Sequence, residues 1–179
     1  MTPSLARSEL LSLLRSGSGP ADRVRELIVQ LERDQPANLE QEAGLLRGVW
    51  QLRWSSSSQP YLAVAPWLEN LQLLDPDRGR GMNLLRPAGP LAPLAAIAVQ
   101  AAIAVEGPQR VRVTFERGGW LGPRVGERRL QLLRGVRQGF PAWLDITVLD
   151  QELRVCRGNA GTLFALLRRQ DLILESLMD

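Results

Sequence analysis

The chain has 179 residues, is 45% hydrophobic and 23% charged, and carries a formal net charge of +3, a profile that excludes a wholly disordered or fibrous chain and suits one folded domain with a sizeable core. Every basic residue is arginine, histidine is absent and Cys156 is the single cysteine, so no intramolecular disulfide, conventional zinc site, or Ser/His or Cys/His nucleophile pair can be built. No run of arginines is free of intervening acids or apolar positions, which argues against a nucleic-acid partner, and the missing lysine reads as the codon bias of a GC-rich genome.

The opening stretch, MTPSLARSELLSLLRSG, is predicted to be helical: Thr2 and Pro3 form a cap and first-turn pair, and Leu5, Leu10, Leu11 and Leu14 recur at helical spacing. Arg7, Ser8 and Glu9 interrupt its apolar residues, so it is not a secretory signal. GSG at 17–19 ends this helix. A second should begin near Pro20, carry Val24, Leu27, Ile28 and Leu31 on one stripe that docks on the protein's own core, and stop before Pro36. Residues 1–40 are therefore expected to form a helical segment and residues 41–179 a β domain.

After LLRG at 45–48 the period shifts to two. Strands are expected over 49–55, 71–74, 82–85, 95–106, 110–116, 129–133, 143–149, 153–157 and 163–168, separated by breaks rich in Gly, Pro, Asp or Asn such as DPDRGRG, RGGWLGPRVGE and GNAG. RVRVTFE is the clearest, with Val111, Val113 and Phe115 on one face and Arg112, Thr114 and Glu116 on the other. Strands that follow helices instead of alternating with them argue for an antiparallel barrel of about eight strands. The most apolar stretch, Leu91 to Val105, is about five residues short of a bilayer span and contains Pro93 and Gln100, so the expectation is a soluble, intracellular protein, cytoplasmic or peripheral to a membrane surface.

Two stretches bear on function. In GVWQLRW, Trp50, Leu52 and Trp54 share one face if the strand is regular, making a heavy apolar wall, and a Gly-x-Trp opening a first strand resembles that of lipocalin-type barrels, where the Trp plugs one end. In LDQELRVCRGNAGTLF, strand alternation puts Arg154 and Arg157 on opposite faces, so only one can enter a lumen.

WLDITVLDQELRVCRGNAGTLFALL, residues 143–167, strongly resembles the C-terminal signature of the plastid lipid-associated protein family, also called plastoglobulin or fibrillin. The matching residues include Trp143, Leu144, Asp145, Thr147, Leu149, Asp150, Leu153, Arg154, Arg157, Gly158, Asn159, Gly161, Thr162, Leu163 and Phe164. LLRGVWQLRWSS resembles the family's opening motif and RVRVTFE its central strand, so the resemblance runs in order over roughly residues 40–168, with departures at Trp54, Val148, Cys156 and Ala160. It implies a lipocalin-like barrel that binds a lipid, fatty acid or isoprenoid without turnover or cofactor, sits on thylakoid membranes or lipid bodies, and serves a structural or photoprotective role. With no transit peptide ahead of it, the chain is expected to be a cyanobacterial member or a mature form. The alternatives are a bilin-binding chromophore lyase of the same architecture and a module that docks an isoprenoid-synthesis enzyme.

The resemblance also bears on the arginines. Apolar Leu153 and Val155 would by the ordinary rule face inward, but related lipid carriers hold a head group with a last-strand arginine. Arg154 is accordingly expected in the lumen facing ligand or Asp145, with Trp50 and Trp54 as ligand-side walls, and Arg157 in an outer or rim pairing with Asp150; the alternative is that both arginines are scaffolding, tying the last strands together through Asp150 or Asp145.

Overall fold

The computed structural model describes residues 5–59, 64–139 and 141–178. The proposed Thr2–Pro3 cap lies outside them. Two helices, α1 (Leu5–Ser16) and α2 (Ala21–Asp34), come first, followed by the short α3 (Leu39–Glu42) and a 3-10 turn at Ala43–Leu46. Among the described residues nine strands follow: β1 (Gly48–Ser55), β2 (Leu68–Asp75), β3 (Arg80–Pro87), β4 (Ala96–Glu106), β5 (Arg110–Val125), β6 (Arg128–Gly135), β7 (Ala142–Leu149), β8 (Leu153–Gly158) and β9 (Leu163–Arg168). A last short helix, α4 (Leu174–Met178), ends the chain.

The strands pair in the order β4-β3-β2-β1-β9-β8-β7-β5-β6, and β4 also pairs with β5. That second pairing closes β1–β5 and β7–β9 into an eight-stranded antiparallel barrel, with β6 outside the ring. The mainly β, lipocalin-like barrel read from the sequence is thus the observed fold.

The largest departure from the expected elements is β5, which runs on to Val125 through RGGWLGPRV, a stretch whose glycines and proline read as a break. One edge pairs β4 as far as Leu121, while the other pairs β7 over Arg110–Val113 and then β6 over Arg117–Val125. Gly119 permits this, since its φ of +153 is open to glycine and a Cβ there would lie 2.1 Å from the carbonyl oxygen of Leu132. A register shift between Leu121 and Arg124 absorbs Gly122 and Pro123. The alanine-rich β4 is a strand because its alternate residues pack: Ala96 and Ala98 are buried on the outer face and Ile103 on the inner.

Burial falls into three layers. Leu10, Leu14, Leu27, Ile28 and Leu31 of α1 and α2 pack on Val148, Leu153, Val155, Leu163 and Ala165, the outer face of β7, β8 and β9. A second outer layer seats Leu174 and Leu177 of α4 on Leu71, Leu73, Leu84 and Ala98. Between them the barrel interior holds Trp50, Leu52, Ile103, Ile146, Cys156, Phe164 and Leu166. Because α1 and α2 cover the outer face of β8, Leu153 and Val155 are buried there, and the simple rule for sending Leu153 inward fails.

Candidate functional site: a barrel lumen with a buried arginine at its floor

One end of the barrel is closed by Trp50 and the turn at Ala43–Leu46. The indole is fully buried and its Nε1 donates to the Leu46 carbonyl at 2.8 Å. Arg168, which the sequence reading did not single out, lies over the same ring at 4.2 Å. Its guanidinium donates to the carbonyls of Arg47 at 2.6 Å and Gln151 at 2.7 Å, and also to that of Leu45, tying the turn to β1 and β9. Gly48 is needed here: its φ is +142, and a Cβ would stand 2.5 Å from Arg168 Nη1. Burial pushes the Arg168 pKa below the usual arginine value.

Arg154 lies on the inner face of β8, just above this floor. It is 0% exposed, its guanidinium carbon lies 5.2 Å from the centroid of the Trp50 ring, and Nη2 donates to Gln72 Oε1. Nε and Nη1 are buried with no hydrogen-bond partner among the described residues. Burial, with Arg168 adding repulsion, pushes its pKa down to about 10, so it remains charged at neutral pH but is poorly hosted. Cys156, next along the same face, has its thiol pushed up to about 11 by burial, which keeps it protonated and unreactive.

Above Gln72 the lumen opens. A cavity of about 320 Å³ is walled by Leu74, Ile103, Val113, Phe115, Leu144 and Phe164, and a second of about 410 Å³ by Asn70, Leu85, Ile97 and Val136; Gln72, Asn83, Val99 and Phe115 line both. The lumen is therefore apolar with a narrow polar stripe of amides leading to Arg154. Among the described residues no cluster of potential ligands could hold a metal ion.

The other residues singled out from sequence lie elsewhere. Trp54 does not share a face with Trp50: the ladder to β9 slips between Leu52 and Trp54, and this bulge turns Trp54 outward against the α1–α2 layer, 5.5 Å beneath the guanidinium of Arg25. Asp145 does not face Arg154; it points outward from β7 and accepts two hydrogen bonds from Arg110, at 2.7 and 2.9 Å. Arg157 pairs with Glu32 of α2 at 2.8 and 2.6 Å and not with Asp150, which instead pairs with Arg7 of α1 at 2.7 Å and caps the turn into β8 through the Glu152 and Leu153 amides. These partners could not be read from strand alternation, because both are supplied by helices more than a hundred residues away in sequence. Arg168 is the one arginine of β9, and the register makes it the cross-strand partner of Trp50, a pairing that strand alternation alone does not reveal.

Comparison with known proteins places this arrangement. The PAP_fibrillin family model matches residues 11–139 and 130–167. The chain is 28% identical over 210 aligned positions to the potato (Solanum tuberosum) light-induced protein, chloroplastic, covering 90% of this chain and 64% of that one. It is 28% identical to plastid lipid-associated protein 1, chloroplastic, of Brassica campestris, with the same coverage, and 26% identical to plastoglobulin-1, chloroplastic, of Pisum sativum over 90% of this chain and 58% of that one. The chain thus spans less than two thirds of the length of these relatives. No solved structure matches it. Among the described residues no helix is long and apolar enough to cross a membrane. With its motifs, its closed barrel and a family match over most of its length, the chain belongs to the PAP_fibrillin family of plastid lipid-associated proteins.

Proposed function

We propose that the barrel is a carrier without turnover for an amphiphile with an anionic head, such as a fatty acid, and that it works at the surface of a thylakoid membrane or lipid body in a structural or photoprotective role. The observation that carries this reading is Arg154: a fully buried guanidinium with two N–H groups lacking partners, at the floor of an open apolar lumen. Burying a charge without full hydrogen bonding costs several kcal/mol, and a fold has little reason to keep such a group unless something completes it. A carboxylate matches the guanidinium fork in geometry and charge. Gln72 stands between the guanidinium and the cavity, so a rotation of its side chain admits the head group, while the two lobes, about 320 and 410 Å³, fall in the usual range for small-molecule sites of about 300–1,000 Å³ and take the apolar chain. Trp50 supports Arg154 from below; Trp54 and Asp145, on the outer face, are not part of this site.

The test is Arg154→Met, which keeps the side-chain volume. Displacement of a fluorescent fatty-acid probe by palmitate should weaken about tenfold or more, whereas thermal stability should hold or rise, since replacing a poorly satisfied buried charge by an apolar group is neutral or stabilising by about 1–4 kcal/mol. Unchanged palmitate affinity in a folded variant would refute the assignment.

A further inference from the structure

The mouth of the barrel, opposite Trp50, differs from the rest of the surface in two independent ways. Six of the large apolar side chains left in solvent gather there: Trp67 (70% exposed) before β2, Leu91 and Leu94 in the β3–β4 connection, Ile97 on β4, and Trp120 and Leu132 (63% exposed) on β5 and β6, whereas those on the helical side, Leu5 and Val29, stand apart. Ile97 is the direct cross-strand partner of Trp120, and Trp120 of Leu132, so these three stand in one row on one face of the sheet. The row exists because β6 lies outside the closed ring: its other face is covered by the C-terminal segment, where Arg129 donates to the Leu177 carbonyl at 3.0 Å, while this face has no layer over it.

The second difference is charge. Residues 117–137 contain six arginines and one glutamate, a net +5, so the remaining sixteen arginines and eighteen acids sum to −2 and the whole positive excess of the chain sits on the β5–β6 hairpin. Elsewhere most arginines are paired: Arg7, Arg23, Arg86, Arg110, Arg157 and Arg169 all hold carboxylates at 2.6–2.8 Å, while Arg25 lies over Trp54 and Arg53 holds backbone carbonyls. Arg117, Arg128, Arg134 and Arg137 are exposed and meet no acid among the described residues. An apolar row beside unpaired cations, with Trp120 at its middle and Trp67 on the same rim, matches the surface of an anionic lipid layer, where indoles settle at head-group depth and each arginine adds attraction.

We propose that the β5–β6 hairpin and the adjoining rim are a docking surface for an anionic lipid layer, which sets the barrel mouth-down so that the lumen opens directly onto the lipid. The proposal deepens the carrier reading, on which it rests for its purpose, but its geometry is separate: Ile97 and Val136 of the rim also line the outer lobe, so a lipid leaving the layer passes along the row to Gln72 and Arg154.

The experiment is co-sedimentation of the full chain with vesicles of phosphatidylcholine alone or of equimolar phosphatidylcholine and phosphatidylglycerol. Wild type should prefer the anionic vesicles, less so as salt is raised. The triple variant Arg128→Gln, Arg134→Gln, Arg137→Gln should partition about a hundredfold more weakly to anionic vesicles. The double variant Trp120→Ser, Leu132→Ser should lose about tenfold or more. The control Leu5→Ser, Val29→Ser, which removes exposed apolar residues from the helical side, should bind as wild type. Both rim variants should keep their melting temperature and their affinity for the fluorescent fatty-acid probe in free solution, while Arg154→Met should lose the probe and keep the vesicles; failure of the lumen assignment therefore leaves this result untouched. Rim variants that bind vesicles as wild type, a helical-side variant that loses as much, or a wild-type dimer whose dissociation alone accounts for the loss would each overturn the proposal.

Discussion

The wall under α1 and α2 and the β5–β6 hairpin are built from similar residues, leucines, valines and arginines, yet their environments are opposite. Under the helices, Leu27, Ile28 and Leu31 are at most 1% exposed, and the bordering arginines are tied to acids or carbonyls: Arg7 to Asp150, Arg157 to Glu32, and Arg53 to the Leu14 and Arg15 carbonyls that end α1. On the hairpin, Leu132 is 63% exposed and Arg128, Arg134 and Arg137 extend into solvent without acids among the described residues. The first region spends its apolar and charged groups on holding the fold together. The second leaves them available to something outside it.

The largest expected effect lies on the wall. Leu27→Ala removes a side chain packed between the two helices and the barrel and should destabilise the protein by about 2–5 kcal/mol in denaturant titration, with the slope unchanged. A loss under about 1 kcal/mol would show that the helices are loosely docked and would blur the contrast.

A smaller effect should come from acid. Burial acts to raise the Asp150 pKa, but the Arg7 guanidinium and the Glu152 and Leu153 amides together hold it below the ordinary value of 3.8. A depressed folded-state value means that the stabilisation is complete above the unfolded-state pKa and is lost as pH falls through the folded one. Wild type should therefore exceed Asp150→Asn in stability by about 1 kcal/mol above pH 4 or so, the gap closing as pH falls further; a gap that persists in strong acid would show that the Arg7 pair is not what Asp150 contributes.

The smallest effect belongs to the hairpin. Leu132→Ala should change stability by no more than about 0.5 kcal/mol, since there is little burial to lose. A loss comparable to that of Leu27→Ala would mean that the row is covered in solution, by a second copy or by a bound lipid, and melting measured across protein concentration and after delipidation would separate the two.

Much of the architecture was legible in the sequence because it is written in local periods. The helical stripes at Leu10–Leu14 and Val24–Leu31 and the alternation in RVRVTFE each report a face that must be buried, and Gly, Pro and Asn mark where the chain turns. The RGGWLGPRV stretch misled because its glycines and proline are accommodated inside a strand by a bulge and by the partners β4 and β6 on either side, and a bulge has no periodic signature. The same effect misplaced Trp54: even spacing from Trp50 implies a common face only in an unbroken ladder.

The buried arginine shows where local reading stops. Alternation along β8 requires that Arg154 and Arg157 part company, and that much belongs to the sequence alone. Which of them turns inward was decided by the layers around the strand: α1 and α2 cover the outer face, so Leu153 and Val155 are satisfied there and Arg154 is left to the interior beside Trp50 and Gln72. The sequence by itself determined the order of helices and strands, the barrel class and the candidate polar groups, because periodicity and turn chemistry act over a few residues. Only the tertiary structure decided the ion-pair partners, the bulges, the floor formed by Arg168 and the exposed hairpin, because those depend on which distant segments come to lie against one another and on which faces are left uncovered.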